Sequence, residues 1–410
     1  MSLYKAAFRV AAAIALFAAF SGPVLAADAR TIHERVLRLD THLDTPMNFA
    51  RPGWDIMDEH SVASDLSQVD YPRMMKGGLD GGFFAIYTPQ GRRTPEGLAH
   101  ARDAALVRAM EIHEMVARHN DKFELALGAD DAARIVAKSK RVVFISIENS
   151  YPLGKDLTLL KTFYDLGVRM AGPVHFTNND LADSATDPKG PEWHGLSPLG
   201  KQFVAEANRL GIILDASHAS DDVFDQMLAL STTPIVLSHS GVRDVFNHPR
   251  NIDDVRIKKL AAAGGVIQIN SYSDYLVDTP PNMLREDALR ALGRKYGPFR
   301  ALAGERLKAY MIERHAIETE YPIPRATIDD VMAHMLHALK LVGVDHVGVG
   351  LDWDGGGGVT GMEDVAEIPE ISKRLLAAGY TEQDLGKIWS GNILRVMRQV
   401  EAKAREYARH

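Results

Sequence analysis

Short apolar runs recur along the chain, and most of them end on a histidine or a carboxylate. Residues 36–41 lead into His42-Leu43-Asp44, 142–147 into Glu148, 168–174 into His175, 212–217 into His218, 235–238 into His239 and 347–351 into Asp352. Two further runs, 82–87 and 266–270, share the pattern. Continuous apolar stretches of this length, bounded by polar or turn residues, predict strands buried on both faces, as in a parallel sheet. Longer stretches with apolar residues at helical spacing separate most of them, at 97–118, 197–210 and 327–342. Strands alternating with helices predict an α/β fold, a (β/α)8 TIM barrel with long loop insertions. The insertions are expected at 177–200, rich in Asn, Asp, Gly and Pro, and at 271–324, an excursion with a charged helical stretch at 299–318.

The placement of the polar residues is what points to chemistry. In a parallel barrel the carboxyl ends of all strands meet on one face, so residues distant in sequence become neighbours. His42, Asp44, Glu148, His218 and His239 are the candidate metal ligands. Neutral imidazoles and carboxylates suit zinc, and a two-oxygen carboxylate such as Glu148 can bridge two ions. An isolated His-x-Asp, or a lone histidine after an apolar run, is more often structural; five candidates at four strand ends outweigh that reading. A glutamate buried at a strand end carries a severe desolvation penalty, and no Arg or Lys lies next to Glu148 to offset it. Asp352 is the candidate proton carrier. Asp354 competes for the role but opens the run Gly355-Gly356-Gly357-Gly358, which reads as a mobile loop. His175 is placed to stabilise an oxyanion and Arg250 to bind a substrate carboxylate. His248, His334 and His337 read as structural, and His194 is left open.

Composition narrows the class. With 46% hydrophobic and 25% charged residues in 410, the chain has ordinary globular composition. A net charge of −7 without a basic block argues against nucleic acid and for a small-molecule substrate. Lys5 and Arg9 precede an apolar stretch at 10–20 and a small-residue site ending at Ala26. This predicts a secretory signal peptide at 1–26, a single catalytic domain at 27–410 and a periplasmic or secreted product with no stable membrane anchor. The absence of cysteine excludes disulfides and thiolate ligands.

Several motifs together resemble the membrane (renal) dipeptidase family of the amidohydrolase superfamily. They are Asp40-Thr41-His42-Leu43-Asp44-Thr45-Pro46, Gly81-Gly82-Phe83-Phe84-Ala85-Ile86-Tyr87, Leu237-Ser238-His239-Ser240, Pro249-Arg250-Asn251-Ile252 and the stretch from Val344 to Gly355. The resemblance implies two zinc ions per subunit, one held by His42, Asp44 and Glu148 and the other by Glu148, His218 and His239. It also implies hydrolysis of dipeptides, including L-Xaa-D-Xaa, by attack of a metal-bridging hydroxide. His175 would then assist the oxyanion, Arg250 bind the free carboxylate and Asp352 transfer the proton; a homodimer is implied as well. Asn149-Ser150 stands where the family often has Gly-Gly, and Leu43 where it often has Asn. Those departures motivate an alternative, an amidohydrolase of N-acyl amino acids or lactones. A noncatalytic barrel-fold maturation factor is the third reading.

Overall fold

A computed structural model describes residues 22–409; most of the expected leader at 1–26 lies outside them. Among the described residues nine parallel strands are formed: β1 (Leu39–Leu43), β2 (Gly81–Ile86), β3 (Phe123–Leu125), β4 (Arg141–Ile147), β5 (Val168–Ala171), β6 (Ile213–Leu214), β7 (Val236–Ser240), β8 (Val266–Ile269) and β9 (Val347–Val349). One sheet runs β1-β2-β4-β5-β6 and another β7-β8-β9. Single parallel bridges, Asp215 to Val236 and Leu43 to Trp353, join the two, so the eight strands at the expected runs close into a barrel. Across the mouth, the Thr41 hydroxyl lies 2.6 Å from the Ser238 carbonyl and 3.0 Å from that of Val349, tying β1 to β7 and β9.

The ninth strand, β3, pairs with the first residues of β4 and was not expected. Three residues, one of them Glu124, leave too short an apolar signature to register. The helices follow their caps. Pro95–Arg118 starts after Thr94, whose side chain accepts from Gly97 N; Pro198–Leu210 starts after Ser197. Ile328–Val342 carries a capping box between Thr327 and Asp330. Leu39, Phe83, Phe144, Met170, Ile213, Val236 and Val266 form one apolar cluster with Ile393, Val396 and Val400 of the C-terminal helix Asn392–Tyr407. This cluster draws on the amino-terminal parts of the strands and leaves their carboxyl ends free for polar residues. Among the described residues no helix is long and apolar enough to cross a membrane.

The excursion at 271–324 corrects the sequence reading in one respect. Besides the expected helix, here Gly304–Glu320, it holds a second, Met283–Tyr296, joined by the turn Phe299–Ala301. Leu292, Leu302, Tyr310 and Met311 give the pair a small core of its own. The second helix escaped notice because only Leu292 of its side chains is fully buried, so it shows little of a core-facing stripe.

His33, fully buried in the helix Gly22–Arg35, supplies a pH dependence. Its ring nitrogens lie 2.6 Å from Ser372 Oγ and 2.9 Å from the Gly77 carbonyl, and the Trp389 indole donates to the same Ser372. Burial is the main cause that pulls its pKa down to about 4. Between pH 6.5 and 4 the unfolded chain therefore binds the extra proton and the folded chain does not. Stability is fully present above pH 6.5 and declines as pH falls toward 4, by up to about 3 kcal/mol from this residue. Denaturant unfolding of the wild type and of His33→Gln across that range should show a shallower slope in the variant.

Candidate metal centre

The carboxyl ends of the strands bring seven of the sequence-predicted residues to one point. Glu148 follows β4, and its Oε1 lies 3.0 Å from His218 Nε2, 3.2 Å from His175 Nε2, 3.6 Å from His239 Nε2 and 3.7 Å from His42 Nε2. His42 Nε2 is in turn 3.6 Å from Asp44 Oδ2 and 3.9 Å from Asp352 Oδ1. All are nearly sealed from solvent, from 1% exposed for His42 to 7% for His175 and Asp352. Ligand-capable atoms gather in three overlapping groups: His42, Glu148 and His239; Glu148, His175 and His218; and His42, Asp44 and Asp352. The resemblance divides the ligands differently. It pairs His239 with His218 and leaves His175 aside, whereas here His175 is as close to Glu148 as the ligands are.

Protein groups alone do not satisfy this cluster. His42 Nε2, Asp44 Oδ1 and Glu148 Oε2 are buried without a hydrogen-bond partner. His218 Nε2 and His239 Nε2 face each other at 3.0 Å, and burial drives both rings far below the usual histidine range, with neighbouring positive charges adding to it. They are thus neutral nitrogen donors. Burial also raises Asp44 and Asp352, with nearby carboxylates adding to the effect. Burial opposes a charge on Glu148, but the adjacent His175 and His42 and the hydrogen bonds to His175 and His218 together hold it well below the usual carboxylate range. Burial opposes a charge on His42, but Glu148, Asp44 and Asp352 together bring its pKa up to about 10. Orphaned donors, converging lone pairs and crowded carboxylates fit divalent cations, and a mixed nitrogen and oxygen set fits zinc.

A second layer fixes the rings. Asp215, after β6, accepts from Ser217 Oγ at 2.6 Å, Ser238 Oγ at 2.5 Å and Ser238 N at 2.9 Å. With its proton directed to Asp215, the Ser238 hydroxyl accepts from His239 Nδ1 at 2.9 Å, which leaves the His239 Nε2 lone pair pointing into the cluster. Sequence reasoning passed over Asp215, although the argument that singled out Glu148, a carboxylate in an apolar run, applies to it equally.

Arg250 stands apart from the cavity wall. It is 2% exposed; its Nε donates to His218 Nδ1 at 3.2 Å, Nη1 to Ser240 Oγ at 2.9 Å and Nη2 to the His239 carbonyl at 2.7 Å. The other histidines are engaged elsewhere. His334 Nδ1 accepts from Val242 N, His337 bonds Asp254, and His248 Nδ1 accepts from Arg250 N. His194 sits on an exposed loop with φ +52°, outside the cluster.

The glycine run is a pinned turn, which corrects the expectation of a mobile loop. Gly357 N donates to the Asp352 carbonyl at 2.8 Å, Gly358 N to Ser271 Oγ at 2.8 Å, and Gln68 Nε2 to the Gly357 carbonyl at 2.7 Å. Asp352 and Asp354 flank buried Trp353 with φ of +63° and +64°, a left-handed kink of the kind retained at functional sites. Asp354 is fastened by Thr45 Oγ1 at 2.7 Å and Gln68 N at 2.8 Å, so its carboxylate is structural in this arrangement. Gly355 lies against the acids themselves. A Cβ there would fall 2.1 Å from Asp44 Oδ2 and 2.3 Å from Asp352 Oδ1. Gly355→Ala should lower kcat/KM by about ten- to a hundredfold by displacing both carboxylates. Steady-state kinetics with metal analysis checks this; unchanged kinetics would show that the acids have room to move.

The cluster floors a cavity of about 270 Å³ walled by Asp44, Met47, Tyr87, His175, Phe176, Tyr272, Tyr275, Arg300 and Asp352. That volume is at the small end for ligand pockets. Burial, with the nearby Glu148 and Asp44 charges, pushes the Tyr87 phenol up to about 12, so it stays a neutral donor. Asn149 and Ser150 are fully buried; Asn149 Nδ2 donates to the Thr88 carbonyl and Ser150 Oγ to that of Gly172, and neither lines the cavity.

Comparison with known proteins places this arrangement. A family model described as membrane dipeptidase, peptidase family M19, matches residues 26–410. The chain belongs to the membrane dipeptidase family. It is similar to the dipeptidase tcpJ of Claviceps purpurea, 29% identical over 88% of this chain and 76% of that protein. The crystal structure of the probable dipeptidase PvdM from Pseudomonas aeruginosa is 31% identical, covers 93% of this chain and 99% of that one, and superposes with a TM-score of 0.79. A metallo peptidase from Rhodobacter sphaeroides, liganded with a phosphinate mimic of the dipeptide L-Ala-D-Ala, shares the fold at 24% identity and a TM-score of 0.69, covering 89% of this chain and 99% of that one. As a member of this family the protein is a metallo-dipeptidase, a hydrolase on a TIM-barrel scaffold.

Proposed function

We propose that the protein is a binuclear zinc dipeptidase whose ions are bridged by Glu148. The observation that carries this is the convergence of four imidazole nitrogens on one carboxylate oxygen, with three buried polar atoms beside them left unpartnered. His42 and Asp44 would hold one ion, His218 and His239 the other. When bound, the zinc pair supplies an activated water and polarises the peptide carbonyl.

The chain's own groups do the rest. Asp352, with its pKa raised by burial, can take a proton and return it to the leaving amine. His175 and the neutral Tyr87 phenol are donors for the developing oxyanion. Once His218 Nε2 serves as a ligand, the ring proton belongs on Nδ1. Arg250 Nε would then lose its acceptor there and become available to the substrate's free carboxylate, while Nη1 and Nη2 keep Ser240 and the His239 carbonyl. The small cavity favours dipeptides over longer chains. Acceptance of L-Xaa-D-Xaa substrates is supported by the family resemblance and by the ligand of the Rhodobacter protein. Export after cleavage near Ala26 and assembly as a homodimer belong to the same proposal, on the N-terminal pattern and the resemblance respectively.

The test is a panel of L-L and L-D dipeptides with N-acylated counterparts, run on zinc-loaded protein. Turnover of free dipeptides, including L-D pairs, is expected. Turnover confined to N-blocked substrates would overturn the reading.

A further inference from the structure

We propose that Arg300 is a specificity residue that selects dipeptides whose amino-terminal residue carries a carboxylate side chain. The inference rests on the dipeptidase reading above.

Arg300 is the one Lys or Arg among the described residues lining the cavity, and it has no hydrogen-bond or ion-pair partner among the described residues. Its basic neighbours are all engaged. Arg51 bonds Asn48 and pairs with Asp65 at 3.6 Å, and Arg108 pairs with Glu111 at 2.6 Å. The acids of the wall are accounted for: Asp44, Glu148 and Asp352 lie at the metal cluster, where bound cations would offset their charge, and Asp354 is fastened by Thr45 and Gln68. A carboxylate on a substrate side chain directed away from the cluster would meet one fixed side-chain cation at the wall, Arg300.

The turn that carries Arg300 is well anchored. Phe299 lies under the Arg51 guanidinium at 5.0 Å and against the Tyr310 ring at 5.2 Å, and Leu302 is 3% exposed. Backbone bonds of 3.0 Å, Ala301 N to Pro298 O and Leu302 N to Phe299 O, close the turn. The arginine therefore projects from a fixed base.

Position identifies the end of the substrate it reads. Arg300 shares the cavity wall with Asp44 and Tyr87, which follow β1 and β2, and its neighbour Phe299 lies under Arg51 of the loop after β1, which places it near the ends of those strands. Arg250 bonds to His218, His239 and Ser240 at the ends of β6 and β7. In the barrel order β1-β2-β4-β5-β6-β7-β8-β9 these two sites are on opposite sides of the mouth, with the metal cluster between them. A dipeptide whose main-chain carboxylate faces Arg250 directs its amino-terminal side chain toward Arg300.

The experiment compares Glu-Ala with Gln-Ala, and Ala-Glu with Ala-Gln, on zinc-loaded wild type, Arg300→Gln and Arg300→Lys. Wild type should favour Glu-Ala over Gln-Ala by roughly fivefold in kcat/KM, the size of a partly exposed charge pair, mainly through KM. The preference should shrink in 0.5 M salt. Arg300→Gln should abolish it, Arg300→Lys should retain part, and the Ala-Glu to Ala-Gln ratio should be the same in all three proteins. A Glu-Ala preference that survives Arg300→Gln, or one that appears only with Ala-Glu, overturns the assignment while leaving the dipeptidase reading intact. Turnover of none of the four overturns that reading and this inference with it.

Discussion

Glu148→Gln is expected to lower kcat/KM by at least about a thousandfold, equivalent to about 4 kcal/mol of transition-state stabilisation. The amide keeps the shape of the side chain but loses its charge and one of its two oxygens. Glu148 Oε1 is the atom on which His42, His175, His218 and His239 converge, and Oε2 has no other partner. An amide cannot bridge two cations, and its NH2 group would donate to the Nε2 of His218 or His239, both held neutral by burial, and so occupy a lone pair that would bind a cation. Zinc content should fall from two ions per chain to one or none, with the circular dichroism spectrum unchanged. A variant that retains both ions and most of its activity would show that the metals are held without a Glu148 bridge.

Asp352→Asn is expected to leave zinc content at two per chain and to lower kcat by about a hundred- to ten-thousandfold, with KM little changed. The asparagine fits the same left-handed backbone, φ +63°, since Asn tolerates that region as Asp does. What it lacks is the ability to accept a proton. Because Asp352 Oδ1 lies 3.9 Å from His42 Nε2, it is also close enough to be a ligand. Loss of zinc with the activity would assign it that role; loss of activity alone assigns it proton transfer.

The comparison of sequence with structure follows from where each signal resides. Buried parallel strands are continuous apolar runs, so the eight barrel strands and the residues at their ends could be read directly, Glu148 and His218 among them. A three-residue edge such as β3 has no such signature, and the helix Met283–Tyr296 buries too little to show a stripe. The closeness of Gly355 to Asp44 and Asp352 depends on a fold-wide approach between β1 and the loop after β9, which glycine content alone cannot distinguish from flexibility. Arg250 shows the same limit. Its identity and its neighbourhood to His239 were legible, but its position behind His218, with Nε, Nη1 and Nη2 each holding a protein partner, depends on three-dimensional packing. Arg300 lay at the start of the helical stretch read at 299–318, whereas it sits in the separate turn Phe299–Ala301 before the helix begins at Gly304, and only the closed barrel mouth brings it to the cavity wall.

The most direct test of the account is an anomalous difference map collected at the zinc edge from crystals of the zinc-loaded protein. Two peaks about 3.5–4 Å apart on either side of the Glu148 carboxylate, one against His42 and Asp44 and the other against His218 and His239, are the expected result. A single peak away from Glu148, or none at the cluster, would contradict it.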